Sequence, residues 1–407
     1  MSCQQDQKLG SETSGLLRVV FVINGSLCGH SQMQFLSYAR ALATSCKISM
    51  LFIFPVDLRS PMVKEFASLG VEVSSLGCKR RVTIASIYRT FRYFKNQRPE
   101  IIHSQHPIAG VNAKVAGWFY KLQRRDVRII CEQRNEAQGL SLMARRLEYL
   151  TFPAADLVLC SSTRVEKSYF GSSMVLDPDD LDLKSRKHYT FFNSIDLDLA
   201  AVTRVDRRKS RSLLLREWGI TEEDFVVVTV AKFSKQKDYP TLISAFAKAL
   251  AMASGVKFKL ICVGDGPDRS AIVDLVQSLN LESVVVTAGF RNDVQTVLCG
   301  ADCFVLSSKW EGLPKVLLEA MSIPLPCVVT QVGGSEDVVR NEVDGLLVPP
   351  GESQACADAL VRLATDPGLA RAIAASAKVR VQSFSAREQA QTLLAVYRRL
   401  YSSVCGA

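Results

Sequence analysis

The stretch that decides the fold is Ser307-Ser308-Lys309-Trp310-Glu311-Gly312-Leu313-Pro314-Lys315-Val316-Leu317-Leu318-Glu319-Ala320-Met321. It follows an apolar run, residues 301–306, which is typical of a short parallel strand buried on both faces. Pro314 suits the first position of a helix, because an N–H at that position would have no partner within the helix. The turn before this helix is therefore predicted to present free backbone N–H groups and a positive helix end, which together favour an anion.

Two acidic residues frame this stretch. Glu311 lies at the predicted helix mouth, and Glu319 follows about two turns further along. Acids at this spacing can share one side of a helix. They are either a functional pair or one capping residue and one solvated residue, and the spacing alone leaves both interpretations open.

The motif from Glu311 to Met321 resembles the E-x7-E signature of retaining, nucleotide-sugar-dependent glycosyltransferases of family 4. The resemblance implies the GT-B fold, an α/β architecture with two Rossmann-like doubly wound domains and an interdomain cleft. It runs in order from residue 17 to residue 401 and is strongest between residues 225 and 350.

Composition sets limits on the class of protein. A chain of 407 residues with 48% hydrophobic and 22% charged residues predicts an ordered protein of two domains. No apolar run approaches the roughly 18 residues that span a bilayer, and residues 1–15 form a polar tail without the apolar core of a secretory signal. None of the 12 cysteines forms a C-x-x-C pair, so we expect reduced, buried thiols, no zinc site and a cytoplasmic location.

The net charge of +10 is concentrated in one segment without acids. Aromatic residues alternate there with Lys79, Arg80, Arg81, Arg89, Arg92, Lys95 and Arg98. Segment 79–98 is therefore a solvated helix face, a contact to an anionic membrane surface, or a nucleic-acid patch. No nucleic-acid-binding module accompanies it, so we expect no nucleic-acid partner. Peripheral contact with the inner face of the cytoplasmic membrane stays open.

The first half of the chain begins as a Rossmann-like unit. The β-branched run from Leu17 to Ile23 is a predicted strand, and the loop 25–31 leads into a predicted helix over 32–43. The loop lacks the G-x-G-x-x-G pattern of dinucleotide binding, and the resemblance assigns only Gly29 a place in donor binding. Further strands are predicted at 48–54, 101–103, 127–131 and 157–160, with helices at 84–96 and 109–122 between them.

Ligands of such sheets bind at the carboxyl ends of the strands. His103 and His106 follow one predicted strand, where they either line a site or fill a polar pocket. Arg134 follows the next strand, and the resemblance assigns it to donor binding. The turn at 193–196 is similar to the N-G-I-D turn that the family has at its domain crossing. The predicted domains are therefore a tail (1–15), an acceptor-side domain (16–200), a nucleotide-sugar-binding domain (201–383) and a helix that crosses back (384–407).

The second half restarts with the apolar run 225–230, followed by Lys232, Lys235 and Lys237. Three lysines at a strand's carboxyl end are either a polyphosphate site or a solvated turn. The segment resembles the family's G-R-x(4)-K-G diphosphate clamp, with Lys232 in the arginine position and Lys237 in the lysine position. The turn at Gly264 and Gly266 resembles the family's G-x-G-P turn.

The resemblance implies transfer of a sugar from a nucleotide-sugar to an acceptor hydroxyl, with retention at the anomeric carbon and without a metal cofactor. A UDP-sugar is favoured over a GDP-sugar as the hexosyl or N-acetylhexosaminyl donor, and the acceptor is a sugar or a lipid-linked sugar. Catalysis is assigned to Glu311, Lys237 and Lys232, and the ribose hydroxyls to Glu319. The remaining donor contacts are assigned to Phe290, Arg291, Gly312, Leu313, Pro314, Lys315 and Val316.

Two alternatives stay open from the sequence. The first is a non-catalytic subunit that binds a nucleotide-sugar, because the loop 25–31 departs from the family pattern. The second is a GT-B nucleotide-sugar epimerase, which transfers nothing to an acceptor. The expected context of the transferase is the synthesis of polysaccharide, lipopolysaccharide or glycolipid.

Overall fold

The computed structural model of the chain describes residues 16–25, 30–79, 81–197 and 206–405. Contacts divide the chain into two compact units. The first unit runs to Phe192 and resumes at Ala386, and the second unit is Asn193–Ser385. Each unit contains one parallel sheet covered by helices, which confirms the predicted α/β class with two Rossmann-like domains.

The first unit is built on a sheet with the order β3-β2-β1-β4-β5-β6-β7. Its strands are β1 Leu17–Ile23, β2 Cys46–Phe52, β3 Glu72–Ser75, β4 Ile101–Gln105, β5 Arg128–Gln133, β6 Leu157–Cys160 and β7 His188–Thr190. Its helices are α1 His30–Leu42, α2 Pro61–Ser68, α3 Ile84–Gln97, α4 Pro107–Gln123, α5 Leu142–Thr151, α6 Thr163–Phe170 and, at the chain end, α15 Ala386–Cys405.

The second unit repeats this order as β10-β9-β8-β11-β12-β13. Its strands are β8 Asp224–Val230, β9 Lys257–Val263, β10 Val285–Gly289, β11 Cys303–Leu306, β12 Cys327–Thr330 and β13 Leu346–Val348. Its helices are α7 Arg207–Trp218, α8 Tyr239–Met252, α9 Arg269–Ser278, α10 Val294–Gly300, α11 Lys315–Ser322, α12 Gly334–Val338, α13 Ser353–Thr365 and α14 Pro367–Arg380.

The strands form where the sequence has short, almost continuous apolar runs. β11 and β12 are buried along their whole length, as expected for parallel strands covered on both faces. In each sheet the strand order reverses between two neighbours, β1 and β4 in the first unit and β8 and β11 in the second. Ligands of doubly wound sheets bind in the crevice that opens at this reversal.

The long helix α15 packs against the core of the first unit. Leu393, Val396, Tyr397 and Leu400 are buried in the cluster that contains β1 and α1. The amphipathic pattern of the sequence places these side chains on one side of the helix. Within the described ranges, no helix is both long enough and apolar enough to cross a membrane.

We predict that Leu393→Ala destabilises the first unit by about 2–5 kcal/mol, because a fully buried leucine leaves a cavity that the core fills only in part. Urea unfolding followed by circular dichroism measures the change. Gln391→Ala, at an exposed position of the same helix, is the control and should stay within about 0.5 kcal/mol of wild type. Equal stability of the two variants would contradict the packing of α15 described above.

Candidate functional site

The predicted site residues of the second unit converge on its strand reversal. Lys232 and Lys237 follow β8, and Glu311 follows β11, which pairs with β8. Gly264 and Gly266 follow β9, on the other side of β8. All of these positions lie at the carboxyl ends of their strands, so the structure brings them to the edge where a ligand of this sheet would bind.

An ion pair joins the two strand ends. Nζ of Lys237 contacts Oε1 of Glu311, and the two side chains are only 16% and 7% exposed. The hydroxyl of Ser308, which is fully buried, donates to the same Oε1 at 2.6 Å. Two donors therefore hold the Glu311 carboxylate in one position, and the pair is screened from water far more than a surface salt bridge.

Hydroxyl groups after β11 fix the turn that carries Lys237. Ser307 Oγ donates to the carbonyl oxygens of Lys237, at 2.8 Å, and of Asp238, at 3.2 Å. Thr330 Oγ1, on β12, donates to the carbonyl of Ser308 at 2.6 Å. We did not predict roles for these hydroxyls. The signal available in the sequence was the pair of small polar residues directly after a buried strand.

The main chain adds further links between the two strand ends. The backbone N of Lys309 donates to the carbonyl of Gln236 at 2.8 Å. The side-chain amide of Gln236 donates to the carbonyl of Trp310, also at 2.8 Å. The loops after β8 and β11 therefore form one connected structure.

The prediction for the start of the helix is wrong in one respect. Helix α11 begins at Lys315, so Pro314 is its N-cap residue and not its first helical residue. Glu311 lies in the loop before the helix, and only Glu319 is on the helix. The two acids do not share a helix face. The extended conformation of Pro314, at φ −72° and ψ 109°, keeps the loop from joining the helix.

Gly312 and Leu313 lie against a second glycine loop. A Cβ atom on Gly334 would stand 1.9 Å from the carbonyl oxygen of Gly312 and 2.6 Å from Cα of Leu313. Only glycine permits this approach of two main chains. Asn193 Nδ2 donates to the carbonyl of Leu313 at 3.4 Å, so the turn at 193–196 also supports this loop.

Lys315, Val316 and Glu319 lie on α11. The first N–H groups of a helix have no partner within it, and those of Lys315 and Val316 are at the end near Glu311. Burial raises the pKa of Glu319, and the positive charge of Lys315 opposes that shift. This carboxyl is therefore harder to ionise than an ordinary one.

The turn after β9 depends on its glycines. Gly264 has φ +140°, and a Cβ atom there would stand 2.0 Å from the carbonyl oxygen of Ala231. A Cβ atom on Gly266 would stand 2.2 Å from the carbonyl oxygen of Phe233. The turn therefore packs directly on the backbone of the lysine-rich segment, between β8 and the short 3-10 turn Lys235–Lys237.

Lys232 and Arg291 differ in their ionic partners. Within the described residues, no carboxylate lies in ion-pairing distance of Lys232, which is exposed. Arg291 pairs with Glu217 and Asp293 and lies 5.0 Å above the ring of Trp218. The Arg291 side chain is thus held at the end of α7, whereas the neighbouring Phe290 side chain is 76% exposed.

Arg134 belongs to a separate polar cluster in the first unit, and Gly29 lies outside the described residues. Nη2 of Arg134 contacts Oε1 of Gln34 and lies 3.0 Å from Oε2 of Glu132. His103 Nε2 is 3.1 Å from Glu132 Oε1, and its Nδ1 is 2.5 Å from the hydroxyl of Tyr397. No pattern in the sequence predicts that Tyr397, on α15, contributes to this cluster.

Two pKa shifts accompany this cluster. Burial opposes ionisation of Glu132, but the charge of Arg134 and the hydrogen bond from His103 outweigh it and lower the pKa to about 2. Burial, together with the charge of Arg134, lowers the pKa of His106 to about 4. At neutral pH, Glu132 is therefore an anion and His106 is neutral.

An 810 Å³ cavity in the second unit lies away from the site. It is lined by residues such as Phe225 and Pro326, which precede or begin strands at the amino-terminal edge of the sheet. None of the predicted site residues lines this cavity. The predicted site residues Lys232, Lys237, Glu311, Gly264 and Gly266 lie at the opposite edge of the sheet, where the strands have their carboxyl ends.

The strand order and the site together define the class of the protein, an α/β protein of the GT-B fold. Residues 210–380 match the family model described as glycosyl transferases group 1, so the chain carries this domain. The resemblance to group 1 glycosyl transferases is thereby confirmed.

Curated relatives match over part of their length. N-acetyl-alpha-D-glucosaminyl L-malate synthase of Bacillus anthracis is 29% identical over 57% of this chain and 58% of its own length. UDP-Gal:alpha-D-GlcNAc-diphosphoundecaprenol alpha-1,3-galactosyltransferase of Escherichia coli is 25% identical over 69% of this chain and 70% of its own length. The match thus spans less than two thirds of the first of these relatives.

Solved structures share the fold along nearly the whole chain. HepE of Anabaena, in complex with UDP and glucose, superimposes with a TM-score of 0.74 at 19% identity over 95% of this chain and 100% of that one. A glycosyltransferase from Rickettsia africae gives a TM-score of 0.77 at 14% identity over 95% of this chain and 98% of that one. At these identities, the likeness shows the fold alone.

We predict that Glu319→Gln changes the pH dependence of stability. Because the pKa of Glu319 is raised above its ordinary value of 4.5, the group's contribution to stability is fully present below that value and is lost as the pH rises through the folded pKa. Glu319→Gln removes this loss, so the variant should exceed wild type in unfolding free energy at about pH 7.5 and converge with it towards about pH 5.

Urea unfolding at a series of pH values measures this difference. Glu282→Gln, at an exposed position, is the matched control and should follow the wild-type curve. Parallel pH curves for wild type and Glu319→Gln would show that burial does not shift this carboxyl.

Proposed function

We propose that this protein is a retaining glycosyltransferase of family 4, which moves a sugar from a nucleotide-sugar to an acceptor hydroxyl. The observation that carries the proposal is the buried group of Lys237, Glu311 and Ser308 at the strand reversal. A cation and a carboxylate, fixed side by side at the ligand-binding edge, suit a donor that has a diphosphate next to a sugar.

The diphosphate end of the donor is assigned to the two lysines. In the transfer, the bond between the anomeric carbon and the diphosphate oxygen breaks, and a bond from that carbon to the acceptor oxygen forms on the same face. The acceptor proton leaves with the phosphate. Lys237 and the exposed Lys232 would stabilise the negative charge that grows on the leaving diphosphate, assisted by the N–H groups of Lys315 and Val316. These cations supply the role that a metal has in other transferases, so we propose that no metal is required.

The sugar and nucleoside ends are assigned to the carboxylates and the glycine turns. Glu311 would accept hydrogen bonds from sugar hydroxyls and support the positive charge that develops at the anomeric carbon. Glu319 would accept from the ribose hydroxyls. Gly264 and Gly266 let the main chain approach the donor closely.

The remaining donor contacts are assigned to the main chain and the first unit. The turn Gly312-Leu313-Pro314 would face sugar and phosphate. The segment at Phe290 and Arg291 would hold the base through its main chain, since the Arg291 side chain is engaged elsewhere. Gly29 and Arg134 are the proposed contributions of the first unit to donor binding.

The proposed donor is a UDP-sugar carrying a hexosyl or N-acetylhexosaminyl group. Support comes from HepE, whose structure contains UDP and glucose, and from the E. coli relative, whose name gives UDP-Gal as donor. That name and the name of a Campylobacter jejuni relative give diphospho-undecaprenol acceptors. We therefore propose a lipid-linked sugar as acceptor, in polysaccharide or glycolipid synthesis, and a cytoplasmic location at the membrane's inner face, with segment 79–98 towards the membrane.

We predict that Lys237→Met lowers kcat for transfer by about 100-fold or more, because the leaving charge loses a preorganised cation. Glu311→Gln should reduce kcat similarly, since the amide keeps the shape and loses the charge. Lys235→Met is the control: this lysine belongs to the same turn and is exposed, so its removal should change kcat less than about threefold. Transfer of radiolabelled sugar, in the presence of EDTA, is the measurement.

The donor is identified first by thermal shift with UDP-, GDP- and ADP-sugars, because a ligand of the folded state raises Tm. Donor binding without transfer to any acceptor would favour a non-catalytic subunit. Conversion of the donor sugar without an acceptor would favour an epimerase. Full activity of Lys237→Met or Glu311→Gln would refute the assignment of the site.

A further inference from the structure

Helices α3, α4 and α5 lie side by side on one face of the first unit's sheet. Ser86 on α3 donates to Asn112 on α4 at 2.7 Å, and both side chains are buried. Lys114 on α4 pairs with Glu148 on α5 at 2.5 Å, and both side chains are fully buried. Helix α4 therefore lies between α3 and α5 and contacts both of them.

Helix α5 buries an acidic residue and exposes apolar residues to solvent. Its only fully buried residue is Glu148, whereas Leu142, Met143 and Leu150 are 67%, 75% and 76% exposed. These three positions and Arg146 recur at helical spacing and therefore form one outward stripe. A helix of a soluble protein normally turns such a stripe towards the core, so this one is available for contact with another surface.

Helix α4 extends the apolar stripe. Trp118, Phe119 and Leu122 are 46%, 47% and 65% exposed, and the two rings contact each other at 5.0 Å. Trp118 is one helical turn from Lys114, on the side of α4 that borders α5. We define the α4–α5 surface as the exposed apolar side chains of these two neighbouring helices, Trp118, Phe119, Leu122, Leu142, Met143 and Leu150. Exposed apolar side chains grouped on one side of a protein mark an interaction site.

The charges around the α4–α5 surface are mainly basic. Arg146 lies within the stripe of α5, and Arg125 is exposed just beyond α4. The adjoining helix α3 contains no acid and exposes Arg89, Arg92 and Lys95. Apolar and aromatic side chains framed by arginine and lysine fit the boundary between the headgroups and acyl chains of an anionic bilayer.

We propose that the α4–α5 surface docks on an anionic phospholipid membrane, with its apolar side chains below the headgroups and the basic side chains among them. The proposal rests on the proposed function in one respect, since a lipid-linked acceptor supplies the reason for membrane contact. It goes beyond the basic segment 79–98, because it adds insertion of apolar side chains to attraction between charges.

A second copy of the chain fits this surface less well. In a two-fold symmetric contact each residue lies near its own equivalent or that of a neighbour. A dimer centred on α5 would bring the Arg146 side chains of both copies together in an apolar contact, without an exposed acid on the stripe to pair with them. Anionic headgroups neutralise the same arginines.

Vesicle sedimentation of the full chain tests the proposal. Wild type should co-sediment with vesicles of equimolar phosphatidylglycerol and phosphatidylcholine, and not with phosphatidylcholine alone. The triple variant Leu142→Ser/Met143→Ser/Leu150→Ser should lower the partition coefficient by about tenfold or more. The matched control Leu213→Ser/Leu279→Ser/Val379→Ser removes three exposed apolar residues of the second unit and should bind as wild type does.

Two further measurements separate insertion from charge attraction. Arg125→Glu/Arg146→Glu should weaken binding to the anionic vesicles in low salt. Brominated lipid should quench the part of the tryptophan fluorescence that comes from Trp118, because only a ring inserted into the bilayer reaches the bromine atoms. The Trp118→Phe variant, which lacks this part of the fluorescence, identifies it. Since the targeted side chains are exposed, all variants should keep the wild-type Tm.

Several results would overturn the proposal. The proposal is wrong if wild type does not bind anionic vesicles at low salt, if the triple variant binds them as well as wild type does, or if Trp118 fluorescence is not quenched. A dimer in sedimentation velocity that the triple variant converts to monomer, without vesicle binding, would assign the surface to a second copy. None of these measurements uses a sugar donor or an acceptor. The tests of membrane docking and of sugar transfer are therefore independent, and either proposal can be refuted without the other.

Discussion

The reversal of strand order between β8 and β11 is the constraint on which the candidate site depends. The crossover that leaves β8 and the crossover that leaves β11 run in opposite directions along the sheet. Neither of them covers the carboxyl ends of these two strands. The chain must nevertheless complete its backbone hydrogen bonds there. Ser307 does this by donating to the carbonyls of the turn after β8, and Ser308 donates to the Glu311 carboxylate. One short polar segment therefore fixes a lysine on one strand end and a carboxylate on the other.

Two buried lysine–glutamate pairs differ in their access to solvent. Lys114 and Glu148 are completely buried, and Gln133 donates to the same carboxylate at 2.9 Å. Lys237 and Glu311 remain partly open at the strand edge. Desolvation costs both pairs free energy that their attraction only partly offsets. The pair at the strand edge thus keeps an access to solvent that the pair between α4 and α5 lacks.

Much of the fold could be predicted because its local signals agree. The apolar runs that became β6 and β8 differ from their predicted limits by at most one residue, since unbroken apolar segments have few alternatives to a buried parallel strand. The lysines and glycine turns of the second unit could also be located, because strand ends meet at one edge of a parallel sheet. These features depend on residues that are close in sequence.

The remaining features depend on contacts between distant residues. The sequence did not show that α11 begins at Lys315 and not at Pro314, because a single residue decides where this helix begins. It did not show that Glu217 and Trp218, far from Arg291 in sequence, would engage that side chain. Nor did it indicate that Tyr397 would reach His103, across nearly three hundred residues. Such contacts follow from the packing of elements, which local pattern does not specify.

The close approaches at Gly264 and Gly334 have a consequence for how this site can vary. Each loop meets its neighbour through main-chain atoms, at distances that leave room for a hydrogen atom only. At these two points the shape of the edge is therefore set by backbone against backbone and not by side-chain packing. Exposed side chains such as that of Phe290 take no part in these two contacts, so substitutions there should leave the backbone of this edge in place.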